Sequence, residues 1–244
     1  MKKSIKISFI VITIFIIQMT AFAQNKFYPK LQKYVAEIEK EFQNITPERK
    51  DALIQIAEYV LEQHNQNQKA SIVFICTHNS RRSQFGQIWG WTAAQFYGID
   101  QVSFFSGGTE ATACNPRTVE ALKRAGFQIR KGGNDNKNPT YEVSLGKTAS
   151  PILLFSKKYS HIQNPKKDFA AVMVCSDADK SCPVVEGASA RISLPYEDPK
   201  AYDNTPSESI KYDERCKNIA VEMFFVFQYI KTKKIEISES KLTR

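Results

Sequence analysis

Residues 71–89 read SIVFICTHNSRRSQFGQIW. The first six are apolar and rich in β-branched side chains, the make-up of a short buried strand. From Ser83 to about Phe96, the residues Phe85, Ile88, Trp89 and Thr92 recur on one side, which predicts a helix. A polar turn opening with Cys76 joins the two. In a strand, loop and helix met in that order, backbone N–H groups curl inward with the positive end of the helix behind them. Such a nest binds a tetrahedral oxyanion. Arg82 at the end of the loop would grip two oxygens in a fork. The same field favours Cys76 as a thiolate, and Ser83 would add a hydroxyl bond to the sulfur. Asn79 suits a tight loop because it tolerates left-handed geometry. The cysteine–arginine spacing alone is a weak signal. Its plain alternative is a buried strand-end cysteine beside a surface arginine pair.

The neighbouring segments repeat the alternation. QVSFFS (101–106) reads as a second strand, and Asn115-Pro116 caps a helix that stops at Gly126. AAVMVC, ending at Cys175, and RISL after it read as the third and fourth strands. Thr205-Pro206 then opens a long helix carrying Ile219, Met223, Val226, Phe227 and Ile230. The stretch 131–170 reads as irregular, with KGGNDNKNP as a loop and YEVSL and PILLF as a small hairpin. Strands alternating with helices predict an α/β fold, a four-stranded parallel sheet with helices on both faces. Ligands of such sheets bind beyond the carboxyl ends of the strands. Cys76 and Cys175 both end a strand and are expected in one crevice.

Ahead of this domain, Leu31, Tyr34, Val35, Ile38 and Phe42 mark an amphipathic helix, and Thr46-Pro47-Glu48 starts a second that runs to about Glu62. Earlier still, Lys2, Lys3 and Lys6 flank the apolar run IKISFIVITIFII, followed by Ala21-x-Ala23, the pattern of a secretory signal peptide. The expected division is 1–23 signal peptide, 24–68 helical extension and 69–244 main domain. The expected location is exported, periplasmic after cleavage near Ala23. A membrane becomes a partner only if the signal stays attached.

The 244 residues carry a formal net charge of +9, part of it in the signal segment. That balance favours anionic ligands. With no arginine-rich tract and no nucleic-acid motif, no nucleic-acid partner is expected. The chain has 5 cysteines, Cys76, Cys114, Cys175, Cys182 and Cys216, an odd number for an exported protein. An unpaired thiol is a liability in an oxidising compartment unless it has a use. His78 and His161 lack metal-ligand spacing and the cysteines do not resemble a zinc site, so neither metal nor cofactor is expected.

CTHNSRRSQ resembles the phosphate-binding loop of the low-molecular-weight protein tyrosine phosphatase superfamily, Cys-x-x-Asn-x-x-Arg-Ser. The resemblance spans about 71–232. It implies that Cys76 is the nucleophile, Asn79 the loop asparagine, Arg82 the anion clamp and Ser83 the loop serine. The anion would sit on Thr77, His78, Asn79, Ser80, Arg81, Arg82 and Ser83. His78 stands where glycine is common, and Arg81 where a second cysteine or another small residue is common. CSDADKSCP (175–183) and GTEATACNPRTVEALKRAG (108–126) are similar to segments of the thioredoxin-coupled arsenate reductases of that fold. The resemblance implies a relay in which Cys76 attacks arsenate, Cys175 displaces arsenite, and Cys182 closes a disulfide with Cys175. A thioredoxin-like reductant then opens that disulfide. Chemically, reducing arsenic(V) takes two electrons, which a thiol pair supplies by becoming a disulfide. The spacing of Cys175 and Cys182 across a polar loop fits such a pair, and fits a permanent structural bridge as well.

Asp198-Pro199, in YEDPKAYDNTP (196–206), follows the fourth strand. In the superfamily an Asp-Pro there protonates the leaving oxygen, as a departing alkoxide requires. Asp-Pro alone is only a turn signal. Glu197 and Asp203 are neighbours of the same chemistry, and Tyr202 is either an entrance residue or an exposed loop tyrosine. Cys114, Cys216, Trp89 and Trp91 read as packing positions rather than site residues. Three functions remain in view: an arsenate reductase with a cysteine relay, an exported phosphatase acting on a phosphomonoester through a phosphocysteine, and an oxyanion-binding or redox-partner protein without turnover.

Overall fold

The computed structural model describes residues 27–133 and 135–242, so the signal-peptide expectation lies outside the described residues. Four parallel strands form the central sheet: β1 (Ala70–Cys76), β2 (Val102–Gly108), β6 (Phe169–Met173) and β7 (Ala188–Ser193), in the order β2-β1-β6-β7. Helices flank it, as the alternation predicts. β6 is buried at every position and β1 at all but one, as central strands covered on both faces are.

A second sheet is antiparallel, in the order β3-β4-β5: β3 (Gln128–Gly132), β4 (Thr140–Ser144) and β5 (Ile152–Leu154). The expected YEVSL/PILLF hairpin is its second half. Its first half, β3, corrects the reading of the region as irregular. Most β3 side chains are exposed, so the strand has no apolar alternation to read.

Two N-terminal helices, α1 (Pro29–Ile38) and α2 (Pro47–Asn65), are joined by a 3-10 turn over Glu39–Asn44. Thr46 caps α2 as predicted, its hydroxyl accepting from Arg49 N. α3 (Arg82–Tyr97) follows β1, and α4 (Pro116–Ala125) runs from an Asn115 cap to a left-handed Gly126. The long helix α6 (Glu208–Leu242) starts two residues beyond Pro206, because Thr205-Pro206 forms a turn in which Thr205 N–H and Oγ1 both donate to Tyr202 O. No helix among the described residues is long and apolar enough to cross a membrane.

α3 lies unusually close to the sheet. A Cβ at Gly86 would come within 2.6 Å of the Phe74 ring on β1. That approach seats the start of α3 directly beyond the end of β1, so the intervening loop is short and sharply curled.

Candidate active site

Cys76 ends β1, and residues 77–81 form continuous bends before α3 begins at Arg82. Asn79 adopts φ +46°, the left-handed conformation its side chain tolerates. Its amide fixes the loop from inside. Nδ2 donates to Ser83 Oγ at 2.8 Å, and Oδ1 accepts from Lys157 N at 2.9 Å. Since Ser83 Oγ already accepts from Asn79, its own hydrogen is free for the Cys76 sulfur, which lies 3.0 Å away. Among the described residues no protein acceptor takes the N–H groups of Thr77, His78, Asn79, Ser80 or Arg81. A curled row of unmatched N–H groups at a helix start is the nest that the sequence implies.

Neighbouring loops hold the cradle from outside. Thr109 N and Glu110 N donate to Cys76 O and Thr77 O, and Ser156 Oγ donates to His78 O at 2.9 Å. A Cβ at Gly108 would meet Thr77 O at 2.6 Å and Asn79 N at 2.8 Å, so only glycine lets β2 end this close to the loop.

Arg82 is 9% exposed. Its NH1 donates to Tyr196 O at 2.9 Å and its NH2 to Asp198 Oδ2 at 2.8 Å, while its Nε is buried without a partner. Asp198 follows β7 and caps a 3-10 turn (Pro199–Tyr202), accepting from Lys200 N at 3.0 Å. The fourth-strand Asp-Pro is therefore beside the anion clamp, as the resemblance implies. Glu197 makes only a 3.7 Å approach to Arg215, with its side chain 96% exposed.

Two loop side chains point elsewhere. His78 is half-exposed, with Nε2 3.7 Å from Glu110 at the rim. Arg81 is buried and turned toward α6, where its Nε donates to Tyr212 OH at 2.8 Å. Of the residues expected around the anion, Arg81 thus keeps its backbone N–H in the loop while its Nε is engaged by Tyr212.

Cys175 does not end β6 itself; it lies two residues on, fully buried, as the cap of α5 (Ser176–Ser181). Its sulfur accepts from Ala178 N and sits 3.4 Å from Thr77 Oγ1 on the anion loop. Cys182 closes the other end of α5, partly exposed, with its carbonyl accepting from Arg191 Nε at 3.2 Å. The connection between the two thiols is a helix and not the polar loop expected from CSDADKSCP. All five cysteines are free thiols. Cys114 and Cys216 are fully buried, and burial pushes each thiol up to about 12, out of reach of thiolate chemistry at neutral pH.

Sequence reasoning passed over Tyr212 and Lys157. Lys157 packs directly behind Asn79, and its ammonium lies 4.5 Å from the centre of the Phe155 ring. Both sit in ordinary-looking segments, and only the fold brings them to the loop.

No family model matches the chain. Among curated proteins, arsenate reductase 2 of Staphylococcus epidermidis is 32% identical over 131 residues, covering 54% of this chain and 79% of that one. Arsenate reductase 2 of Staphylococcus haemolyticus is 33% identical over 133 residues, with the same shares, 54% and 79%. Arsenate reductase 1 of Staphylococcus saprophyticus is 28% identical over 156 residues, covering 64% of this chain and 96% of that one. Among solved structures, a low-molecular-weight phosphotyrosine phosphatase from Vibrio cholerae aligns at TM-score 0.44 and 11% identity, over 68% of this chain and 98% of that one. An arsenate reductase in the phosphate-binding state aligns at TM-score 0.40 and 14% identity, over 67% and 98%.

Proposed function

This chain belongs to the arsenate reductase branch of the low-molecular-weight protein tyrosine phosphatase superfamily, and from that premise we propose that it reduces arsenate through a Cys76–Cys175–Cys182 relay. The observation that carries the proposal is the 3.4 Å contact between Cys175 Sγ and Thr77 Oγ1, which holds a second thiol against the anion loop of the first. A phosphatase has no need of it.

Arsenate binds the loop N–H groups of 77–81 and takes over the Arg82 fork from Tyr196 and Asp198. The Cys76 thiolate attacks arsenic(V), and an arsenic oxygen leaves as water once protonated, with Asp198 next to it as the donor. The Cys175 thiolate then attacks Cys76 Sγ. The electron pair of the sulfur–arsenic bond stays with arsenic, which departs as arsenite, and a Cys76–Cys175 disulfide forms. Cys182 attacks Cys175 Sγ, restoring the Cys76 thiolate and leaving a Cys175–Cys182 disulfide. An external dithiol of the thioredoxin type reduces that bond. We place the protein outside the cytoplasm on the strength of its N-terminal pattern, so the reductant is an exported one.

The Asp198–Arg82 pair favours a second activity of the same site, hydrolysis of a phosphomonoester. There Cys76 forms a phosphocysteine, and Asp198 acts as acid and then as base. Arsenate-dependent oxidation and ester hydrolysis are to be measured side by side on the reduced protein. Cys175→Ser is expected to lose arsenate turnover and keep hydrolysis; Cys76→Ser is expected to lose both. Arsenate turnover that survives Cys175→Ser would remove the relay.

A further inference from the structure

The side chain of Arg81 in the anion loop has no part in the proposed chemistry, yet the residue is as deeply buried as Arg82, at 8% exposure. Its environment explains the burial. Nε donates to Tyr212 OH at 2.8 Å, and that hydroxyl in turn donates to Asp203 Oδ1 at 2.8 Å. The Arg81 guanidinium also stands 3.7 Å from Asp203 Oδ2, and its Nε 3.7 Å from Asp198 Oδ1. Asp203 is held on its other side by Arg117 of α4, at 3.8 Å. Arg117 also pairs with Glu208 at 2.6 Å and donates to Asn204 at 2.8 Å.

The turn that carries Asp198 is therefore gripped at both ends. Asp198 meets the two arginines of the anion loop at its start, and Asp203 meets Arg81, Tyr212 and Arg117 at its end. A buried guanidinium needs compensating partners, and here they come from α6 and from the turn between Asp198 and Asp203. Tyr212 is the hinge point, accepting from the loop and donating to the turn. Burial and the Asp203 bond push its phenol up to about 12, so it keeps its proton and both bonds at neutral pH.

We propose that Arg81, Tyr212 and Asp203 form a strut that positions Asp198 over Cys76 for proton delivery, and that Arg81 is a positioning residue rather than an anion ligand. The inference rests on the reading of Asp198 as the proton donor. It adds that the donor's place is set from the anion loop itself, through α6.

The test uses the reduced full chain and two phosphate esters. Phenyl phosphate needs a proton on its leaving oxygen; 2,4-dinitrophenyl phosphate does not. Tyr212→Phe removes one hydroxyl and leaves the ring packed. It is expected to cut kcat/KM on phenyl phosphate, which reports phosphocysteine formation alone, by about tenfold or more while changing kcat/KM on the dinitrophenyl ester by less than about twofold. Inhibition by inorganic phosphate is expected to stay within about twofold of wild type, because anion affinity is not what the strut sets. Arg81→Met should reproduce the pattern, and the double variant should be no worse than the poorer single one, as members of one unit behave. Equal losses on both esters with weaker phosphate inhibition would make Arg81 an anion ligand and overturn the proposal. So would an unchanged phenyl phosphate rate. If wild type hydrolyses neither ester, it is the hydrolytic reading that fails. The strut is then judged by hydrogen exchange, where faster exchange of residues 198–204 in Tyr212→Phe supports it and unchanged exchange overturns it.

Discussion

Lys157 is 5% exposed, and no carboxylate among the described residues pairs with it. Burial pulls its pKa down from 10.5 to about 8, with Cys114 opposing the shift. In the unfolded chain the same lysine keeps its proton to its ordinary value. Between about pH 8 and 10.5 the unfolded state therefore binds more protons, and the Lys157 contribution to stability rises with pH across that window. Below it both states are charged, and the full cost of burying the ammonium remains. Lys157→Met removes that cost. The variant is expected to be more stable than wild type at pH 7, by up to about 3 kcal/mol, with the gap closing between pH 8 and 10. Urea unfolding at several pH values reads this directly, and a pH-independent gap would mean the ammonium is solvated. The contrast with Cys76, Asn79, Arg82 and Ser83 shows where residue-level legibility ends. Those four lie within seven positions of one another, so their spacing carries the message. Lys157 meets Asn79 from 78 positions away, and Tyr212 meets Arg81 from 131 away, so no local pattern marks either.

At the scale of elements, α5 decides how the two late thiols meet. Cys175 and Cys182 cap its two ends, and a helix rises about 1.5 Å per residue, which sets their Cα atoms about 10 Å apart. A disulfide needs about 4.4–6.8 Å. The bond can form only if α5 unwinds, which would also break the Asp179 pairs with Arg191 and Ser193. Oxidation with a stoichiometric disulfide-forming agent is expected to abolish hydrogen-exchange protection over 176–181, and a dithiol to restore it. Cys182→Ser should keep the protection under the same treatment. Protection that survives a verified Cys175–Cys182 bond would contradict the helix-opening requirement. Six residues fall short of two helical turns, so SDADKS carried no periodicity to distinguish helix from loop. β3 escaped notice for a related reason, since its exposed Gln128, Arg130 and Lys131 give no apolar alternation. The longer elements, β1, α3, β6 and α6, were legible because their burial is strong enough to fix composition and period.

At the scale of the whole molecule, the N-terminal helices are not an appendage in the energetic sense. Leu31, Val35, Ile38, Leu53, Ile56 and Val60 belong to the same buried cluster as the sheet residues Ile72 and Val172. Tyr34 stacks on Trp89 of α3 at 5.5 Å between ring centres. Arg49 of α2 clasps Glu222 of α6 through two bonds of 2.7 and 2.9 Å, and Lys217 pairs with Glu41. The extension thus covers the outer face of α3 and α6, the two helices that hold Arg82 and Tyr212. Separate sequence signals for the two segments were readable, but their fusion into one core was not, because the cluster joins residues more than a hundred positions apart. One core implies one transition. Thermal or urea unfolding followed by tryptophan fluorescence and by far-ultraviolet circular dichroism is expected to give coincident curves. Leu53→Ala in α2 and Val172→Ala in β6 should both shift that single transition, the first by about 2–5 kcal/mol. An early phase in Leu53→Ala that leaves the sheet folded would show instead that the extension melts alone. Removing residues 1–68 tests the same coupling more severely. With the Trp89 face and α6 uncovered, the remaining chain is expected to lose cooperative unfolding and oxyanion binding together, since the helix that bears Tyr212 would lose the partners that hold it in place.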